Sequence, residues 1–365
     1  MRLDLIGGDL VCPVCVNDAH NLPPLEAVPY AGKTEAVPEM TSTFEAGVLH
    51  CLRCERNFCV EDGIGFFSGP PHSAGRKDDF GKGRYDSEAY ARAYIQTHFR
   101  DVIADDKAAR THLDLHDVTG FYSCSANNMY YRSMAEMLFT KLPLGATVLD
   151  LGCSVGRLSH ELARRARVVV GADSSETHIR VAKAIQRHRR VSFRVGEATV
   201  SGKYVEGPEI VVDVSSVVRN NVVFVVADEQ RLPFRRFDGI VCSAVIERVP
   251  NLEAFLRTLR HRIHDGGLLL LSSPFDQDER FVDRSNWLGY GAYGTELGTA
   301  EESLRRLAQR LGFHPIGKIG SVVEGGPSPH DDAYRRDLRW ITYNDRRKHM
   351  VWSVHAELFE ARDSL

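Results

Sequence analysis

The chain has 365 residues, of which 43% are hydrophobic and 26% are charged, and its formal net charge is −3. These values are typical of a folded protein, and the length predicts one large domain plus a small one. The near-neutral charge argues against a dedicated nucleic-acid binder, although it does not exclude a local basic patch. No stretch reaches the roughly 18 consecutive apolar residues that a membrane span needs.

The first ten residues contain two aspartates and two glycines where a secretory signal peptide needs an apolar run. We therefore expect a cytoplasmic protein with no membrane partner. In that compartment, the eight cysteines of the chain are expected to be metal ligands or buried thiols before disulfides.

Two CxxC pairs lie near the amino terminus, Cys12 with Cys15 and Cys51 with Cys54. Each CxxC turn directs two sulfur atoms toward one point, and two such turns supply the four thiolates of a tetrahedral Zn²⁺ site. The stretch between the pairs contains four prolines, which favours a loop. The alternatives are two disulfides or a redox CxxC, and neither fits a cytoplasmic segment without the strand–helix pattern of thioredoxin. The sequence therefore predicts a structural zinc, because four thiolates leave no open position for a substrate.

The residues after the second pair carry a further pattern. Phe58 follows Cys54, and an acidic residue, a glycine and an isoleucine then occur in a row at positions 62–64. In this respect positions 10–67 resemble small zinc-ribbon modules. We predict such a module at 1–67, followed by a linker at 68–84 that is rich in glycine, proline and charge.

Beyond residue 144, short β-rich runs alternate with helical patterns, which predicts a doubly wound α/β fold around a parallel sheet. Gly152 and Gly156 follow the first predicted strand and permit a tight turn close to a ligand. The acid before them, Asp150, repels phosphates but suits a cationic sulfonium or an amino group, which favours S-adenosylmethionine over NAD. Two later strands each end in an acid, Asp173 and Asp228. The predicted strands cover 147–151, 168–173, 222–228, 237–243 and 268–272.

Four successive motifs resemble those of class I S-adenosylmethionine-dependent methyltransferases: V-L-D-L-G-C-S-V-G-R, G-A-D-S, A-D-E-Q-R-L-P-F and F-D-G-I-V-C-S. Zinc ribbons of the kind described above are fused to, or partnered with, some of these enzymes. The resemblance implies a Rossmann-like sheet in which Asp150 lines the methionine portion, Asp173 holds the ribose and Asp228 meets the adenine amino group. The residues predicted to bind the cofactor are Asp150, Gly152, Cys153, Gly156, Arg157, Asp173, Ser174, Asp228, Glu229 and Ser243.

The acceptor side is indicated by segments that flank these motifs. A helical run carries Tyr85, Tyr94 and His98, an N-W-L-G element begins at Asn286, and a W-S-V-H strand covers 352–355. With the D-L-G-C-x-V-G-R loop and a long excursion before Asp228, these features resemble the methyltransferase domain of ovothiol biosynthesis, which methylates an imidazole ring of a mercaptohistidine. The chain departs from that family in its zinc ribbon and in Glu247. The resemblance implies N-methylation of a small amino-acid-like or imidazole-bearing acceptor.

An imidazole nitrogen keeps a free lone pair at neutral pH, because its pKa is about 6.5, so its methylation needs no strong base. We predict Tyr94, His98 and Glu247 as catalytic residues. Tyr94 and His98 share one helix face, whereas Tyr85 joins them only if the helix begins after that residue. The predicted substrate-binding residues are Tyr85, Arg248, Asn286, Trp287 and Tyr290.

The methyltransferase domain is predicted at 85–365. It would consist of lid helices at 85–143 and a Rossmann-like core at 144–365, with substrate-covering insertions at 276–299 and 324–348. Two other functions stay open at this point. One is an RNA (tRNA or rRNA) or protein methyltransferase that uses the zinc ribbon for substrate recognition, and the other is a cofactor-binding protein without catalysis.

Overall fold

The computed structural model describes eleven ranges of the chain, and every structural statement below concerns them. The predicted linker at 68–84 and the predicted residues Asp228 and Glu229 lie outside the described residues. None of the described helices is both long and apolar enough to cross a membrane. The described ranges are 1–6, 10–15, 23–29, 44–67, 85–105, 125–198, 204–227, 232–290, 298–319, 338–343 and 349–362.

Helices and strands alternate through the second half of the chain, as the sequence predicts. The helices are α1 (Leu3–Ile6), α2 (Glu88–Asp105), α3 (Ser125–Leu138), α4 (Arg157–Leu162), α5 (Glu176–His188), α6 (Leu252–Arg262) and α7 (Ala300–Arg310). The strands are β1 (Leu25–Pro29), β2 (Gly47–Cys51), β3 (Asn57–Glu61), β4 (Ile64–Phe66), β5 (Thr147–Leu151), β6 (Val168–Asp173), β7 (Arg190–Ala198), β8 (Tyr204–Asp213), β9 (Val222–Val226), β10 (Phe237–Ser243), β11 (Ile263–Ser273), β12 (Phe313–Ile319), β13 (Leu338–Tyr343) and β14 (His349–Ala361).

One sheet runs through the molecule in the order β1-β2-β3-β4-β9-β6-β5-β10-β11-β14-β12, and β13 pairs with β14 beside it. The strands from β4 to β11 in this order are parallel, whereas β14 is antiparallel to both β11 and β12. The inner strands β5, β6 and β9 are rich in valine and leucine and almost wholly buried, as expected of parallel strands covered on both faces. The predicted doubly wound Rossmann-like sheet is confirmed.

Alternate residues of the inner strands enter two separate cores. On one face Leu149 and Val170 pack with α6 and α7, and on the other Val148 and Val169 pack with α3, α4 and α5. This period-two alternation fixes which side of each strand faces which helices. Because β5, β6, β10 and β11 run parallel, their carboxyl ends lie at one edge of the sheet, where ligands bind in such folds.

The amino-terminal segment adds strands to the same sheet. β4 pairs in parallel with β9, joining Gly65 to Val225 and Phe66 to Val226. The core beneath this junction contains Met1 and Phe67 as well as Val225 and Phe234. The amino-terminal segment is thus packed directly on the central sheet.

A hairpin formed by β7 and β8 occupies most of the long excursion before β9. It packs against α2 through a third core that contains Phe99, Ile103, Phe193 and Val212. The hairpin therefore supports α2 beside the carboxyl edge of the sheet, and we refer to α2 as the lid helix.

Candidate active site

Two glycines shape the turn between β5 and α4. Gly152 and Gly156 have φ angles of 78° and 84°, in the left-handed region that glycine tolerates. A Cβ atom at Gly152 would lie 2.3 Å from Val245 Cγ2, and one at Gly156 would lie 2.5 Å from Phe224 Cζ. The glycines are therefore required for close packing against protein neighbours as well as for the turn.

Asp173 ends β6 at the point where the resemblance places the ribose. One carboxylate oxygen accepts hydrogen bonds from the Ser154 backbone N–H at 2.9 Å and the Tyr85 hydroxyl at 3.4 Å. The other accepts from the Ser175 backbone N–H at 2.9 Å. Burial raises the pKa of Asp173 to about 6, against the opposing effect of these backbone hydrogen bonds. The carboxylate is thus held rigidly at the sheet edge.

Asp150 lies on β5 beside the glycine turn and is 1% exposed. The Ser159 hydroxyl donates to its Oδ2 atom at 2.6 Å. Burial raises the pKa of Asp150 to about 7, although the hydrogen bond from Ser159 opposes the shift. This carboxyl group consequently titrates close to neutral pH.

A small cavity of about 50 Å³ lies between the lid and the carboxyl edge of the sheet. The predicted residues that the structure brings together here come from both the cofactor and the acceptor sets. Aromatic rings form most of the lid side, and the glycine turn forms the floor. The lining residues are Tyr85, Tyr94, His98, Tyr130, Tyr131, Asp150, Gly152, Cys153, Ser154, Leu158, Ser243, Ala244 and Trp340.

The lid helix α2 begins at Glu88, so Tyr85 precedes it. As predicted for such a start, all three lid residues converge. The Tyr85 and Tyr94 ring centroids are 5.8 Å apart, and those of Tyr94 and His98 are 5.5 Å apart. Burial lowers the pKa of His98 to about 3, and the nearby His178 and Arg157 add to the shift. His98 is therefore a neutral imidazole at physiological pH.

Several residues that line the cavity were not predicted from the sequence. The Tyr130 hydroxyl lies 2.6 Å from Ser243 Oγ and 3.0 Å from Ser272 Oγ, at the ends of β10 and β11. Trp340 reaches the cavity from β13. The adjacent residues Tyr130 and Tyr131 are visible in the sequence. Two aromatic residues in a helix, however, cannot be distinguished by sequence from residues of an ordinary hydrophobic core.

Glu247 follows β10 and is 6% exposed. Its Oε1 atom accepts a hydrogen bond from the Ser273 hydroxyl at 2.6 Å, whereas Oε2 is buried with no hydrogen-bond partner among the described residues. Burial raises the pKa of Glu247. A buried carboxylate oxygen without a donor is costly, so this atom is suited to accept a hydrogen bond from a ligand.

Glu247 is not among the residues that line the cavity, and neither are the other predicted acceptor residues Arg248, Asn286, Trp287 and Tyr290. Arg248 pairs with Asp276 at 3.1 Å and thereby ties the segment after β11 to the end of β10. The Trp287 indole donates to the Val282 carbonyl at 2.9 Å, and half-exposed Tyr290 lies under the Arg284 guanidinium. Asn286 ends the short 3₁₀ turn before Trp287. Their contact with an acceptor stays a prediction.

Two predicted cofactor residues, Arg157 and Ser174, are not among the residues that line the cavity. Arg157 is 1% exposed and donates both terminal nitrogens to Asp101, at 2.6 and 3.0 Å. It also pairs with Glu161 at 2.9 Å and donates to the His98 carbonyl at 3.0 Å. Through these contacts Arg157, at the start of α4, holds the helix α2 in place. Ser174 is exposed at the start of the α5 turn.

The four cysteines of the CxxC pairs converge, and their Sγ atoms all lie within 4.8 Å of one another. Cys12 and Cys54 are 3.6 Å apart, and Cys15 and Cys51 are 4.0 Å apart. A tetrahedral zinc with Zn–S distances of about 2.3 Å requires Sγ separations of about 3.8 Å. The geometry therefore fits a four-thiolate metal site.

The polar groups at the carboxyl edge of the sheet fit S-adenosylmethionine. Asp150 and Asp173 supply buried acceptors, and the His98 Nδ1 and His178 Nε2 atoms have no hydrogen-bond partner among the described residues. When bound there, the cofactor supplies an electrophilic methyl group on a sulfonium. Sheet order, glycine turn and strand-end acids together define a class I S-adenosylmethionine-dependent methyltransferase.

Comparison with known proteins agrees with this class. Residues 127–316, more than half of the chain, match the family described as a methyltransferase domain, and the chain belongs to this family. It is 33% identical over 185 residues to the ubiquinone biosynthesis O-methyltransferase of a Methylobacterium species, a match that covers 49% of this chain and 64% of that protein. It is 25% identical over 206 residues to the same enzyme of Pseudomonas putida, covering 56% and 72%.

The chain spans 64% of the length of the first curated relatives that it matches. Among solved structures, it is similar to the magnesium protoporphyrin IX methyltransferase of Synechocystis with bound S-adenosylmethionine. That match has a TM-score of 0.43 and 16% identity, and it covers 78% of this chain and 99% of the other. An N-methyltransferase of Bradyrhizobium japonicum has a TM-score of 0.39 at 12% identity, covering 65% and 97%.

Proposed function

We propose that the protein transfers the methyl group of S-adenosylmethionine to a nitrogen atom of a small amino-acid-like or imidazole-bearing acceptor. The observation that carries this proposal is the uncommitted Oε2 atom of Glu247, buried at the end of β10. It would accept a hydrogen bond from an acceptor N–H or ammonium group.

Each predicted catalytic residue has a role in this proposal. Tyr94 and His98 orient the acceptor from the lid, and Glu247 holds it from the sheet. His98 is a weak base because burial lowers its pKa to about 3. A nitrogen acceptor suits this site, since a neutral amine or imidazole attacks through its own lone pair. Tyr85, Arg248, Asn286, Trp287 and Tyr290 are proposed to complete the acceptor site.

The test compares Glu247→Gln and Tyr94→Phe with Glu253→Gln, a matched change at a residue of α6 that forms a surface ion pair with Arg257. Turnover should fall at least tenfold in the first two, a loss of about 1.4 kcal/mol of transition-state stabilisation, with cofactor affinity kept. The acceptor panel contains histidine derivatives, other amino acids and bulk tRNA. If only RNA is methylated, and if neither Glu247→Gln nor Tyr94→Phe lowers that turnover, the result would favour an RNA methyltransferase and contradict the proposal.

A hydroxyl acceptor is the second candidate. The curated relatives are named as O-methyltransferases of ubiquinone biosynthesis. A phenol must lose its proton during transfer, and Glu247 is suited to accept it because burial raises the pKa of its carboxyl group. Phenols are therefore included in the acceptor panel. Turnover on phenols without turnover on any nitrogen compound would favour this second candidate.

We also propose that Cys12, Cys15, Cys51 and Cys54 hold one structural zinc ion. The purified protein should contain about one zinc per chain by elemental analysis. Cys12→Ser or Cys51→Ser should lose the metal and unfold the amino-terminal module, because such small modules depend on the ion. Cys59→Ser is the matched control, since Cys59 lies outside the cluster. Absence of metal together with oxidation of the four cysteines would contradict the proposal.

A further inference from the structure

We propose that the amino edge of the central sheet binds the phosphate backbone of a nucleic acid, on a surface separate from the active site. The parallel strands begin at this edge, so it lies opposite the carboxyl edge that holds the cofactor and acceptor residues. The two edges are about 16–20 Å apart, the length of the strands β5 and β6. The surface, here called the arginine patch, consists of Arg164, Arg165, Arg167, Arg189, Arg190 and Arg219.

Three loops come together in the arginine patch: the loop before β6, the turn after α5 and the loop before β9. The Asn221 side chain donates to the carbonyls of Ala163 and Ala166, both at 3.0 Å, and joins the first loop to the third. The Arg189 guanidinium donates to Asn220 Oδ1 at 2.8 Å and joins the turn after α5 to the same loop. The six arginines therefore form one surface, although they come from three parts of the chain.

Most of the positive charge of the arginine patch is not neutralised within the part of the chain that the structure describes. Of the six arginines, Arg164 alone forms an ion pair there, with Glu161 at 2.8 Å. Asp213 lies opposite Arg190 in the hairpin of β7 and β8 and adds one negative charge at the border of the patch. Burial lowers the pKa of Arg219, and the charge of Arg164 adds to the shift. Like charges held together in this way attract an anion, which relieves their repulsion.

The composition of the arginine patch favours a phosphate backbone over a protein or a membrane. A guanidinium group binds phosphate oxygens through two parallel hydrogen bonds, and surfaces that bind nucleic acid are more polar and more positive than those between proteins. Protein interfaces have an apolar centre, and surfaces that bind membranes insert apolar side chains into the lipid. Leu144 and Val211 are exposed near the patch, but two side chains are too few for either purpose.

The position of the arginine patch separates nucleic-acid binding from catalysis. A strand bound at the amino edge leaves the cavity at the carboxyl edge uncovered, so the nucleic acid is a docking partner and not the methyl acceptor. Arginine contacts to phosphate carry no sequence information. We therefore expect binding that depends strongly on salt and little on sequence.

The experiment measures the binding of a fluorescent single-stranded RNA of 20 nucleotides to the full-length protein by anisotropy. If the five arginines without an ion pair each contact one phosphate, the logarithm of the association constant should fall with the logarithm of the salt concentration with a slope of about −3.5. Affinity should then fall about a hundredfold between 50 and 200 mM salt. The double variant Arg165→Gln and Arg190→Gln should reduce the steepness of the slope by about 1.4. Arg280→Gln is the matched control and should bind like the wild type, since Arg280 is an exposed arginine that pairs with Asp278 in the segment after β11.

Two further probes distinguish a nucleic acid from other anionic partners. Binding of poly-glutamate at least as tight as that of RNA would assign the patch to an acidic protein, and binding of phosphatidylglycerol vesicles without binding of RNA would assign it to a membrane. Either result, or a slope near zero, would overturn the proposal with the wild-type protein alone. A loss of RNA affinity in Arg280→Gln as large as in the double variant would also overturn it, because the RNA would then lie at the carboxyl edge. The proposed methylation has its separate readout in the acceptor panel, so these results leave it standing.

Discussion

At the scale of single residues, burial sets the chemistry of the site more than direct charge pairing does. Asp150 and Asp173 are both almost fully buried, and burial is the main cause that raises the pKa of each. Burial likewise lowers the pKa of His98 and of His178, to about 3 and about 4. The site thus combines carboxyl groups that titrate near neutral pH with imidazoles that stay uncharged.

Asp173→Ala should weaken S-adenosylmethionine binding at least tenfold, as measured by calorimetry. The change removes a rigid buried acceptor, and a hydrogen bond to a charged group is worth roughly 1.5–3 kcal/mol. Asp213→Ala is the control, because Asp213 is an exposed acid at the end of β8. Cofactor affinity that is the same in both variants would contradict the assignment of Asp173 to the ribose.

His160→Gln should make the protein less sensitive to acid. Burial, followed by the charges of Arg157, Arg219 and Arg189, lowers the pKa of His160 from 6.5 to about 3. Between these values the unfolded chain binds a proton that the folded chain does not, so stability falls as the pH falls. The cost approaches about 1.4 kcal/mol per pH unit. Urea unfolding at pH 7 and pH 5 measures the free energy of unfolding at each pH. The decrease from pH 7 to pH 5 should be smaller in the variant than in the wild type, and an equal decrease would contradict this account.

The motifs that place Asp150, Gly152 and Asp173 at strand ends can be recognised in the sequence, whereas the aromatic residues that line the cavity cannot be grouped from the sequence. Asp150, Gly152 and Asp173 belong to short contiguous motifs that end strands, and such motifs need no knowledge of tertiary contacts. Tyr130 and Trp340 meet only after the chain has folded, since 209 residues separate Trp340 from its partner Tyr131. Single aromatic residues far apart in the sequence carry no pattern that links them.

At the scale of elements, a buried charge cluster attaches the lid to the cofactor domain. Arg157 on α4 binds Asp101 on α2 through two hydrogen bonds and also pairs with Glu161. Its guanidinium lies 5.8 Å from the Phe99 ring and 5.7 Å from the Tyr131 ring. One side chain therefore connects α2, α3 and α4. The sequence placed this arginine in the cofactor motif, but it could not show that α2 would supply a partner acid.

Arg157→Met should destabilise the protein by about 3–5 kcal/mol, because it removes the buried partner of Asp101 and one of the two arginines that pair with Glu161. Arg164→Met is the matched control. Arg164 pairs with the same Glu161 but is 39% exposed, and an exposed pair contributes at most about 1 kcal/mol. Urea unfolding of both variants measures the difference. Equal losses of unfolding free energy in the two variants would show that the ion pairs of Arg157 do not hold the lid helix in place.

At the scale of the whole molecule, the amino-terminal module closes one edge of the catalytic sheet. β4 covers β9, and the Phe67 backbone N–H donates to the Val226 carbonyl at 2.8 Å. Further along the chain, the Val11 backbone N–H donates to the Pro233 carbonyl at 3.0 Å, and Leu10 forms a β-bridge with Phe234. The two CxxC pairs predicted a metal-bound module, but its attachment to β9 has no sequence signature, because backbone pairing depends little on side-chain identity.

Deletion of residues 1–84 should therefore yield an aggregating protein. The deletion exposes the backbone of β9 and the apolar side chains around Phe234, and exposed strand edges pair with other chains. Size-exclusion chromatography and thermal unfolding of the truncated and full-length proteins test this expectation. A monomeric truncated protein with an unchanged melting temperature would show that the module is independent of the catalytic sheet.

The pairing of β4 with β9 also constrains the order in which the chain acquires its structure. Phe66 and Val226 are neighbours in the sheet, yet they lie far apart along the chain. During synthesis the amino-terminal strands emerge first and must wait for β9, and joining such distant segments carries a large loop-closure entropy. Contacts of this sequence separation slow folding. Until β9 has been synthesised, the edge of β4 should therefore remain unpaired. A chaperone or a second nascent chain would have the most access to β4 during this interval.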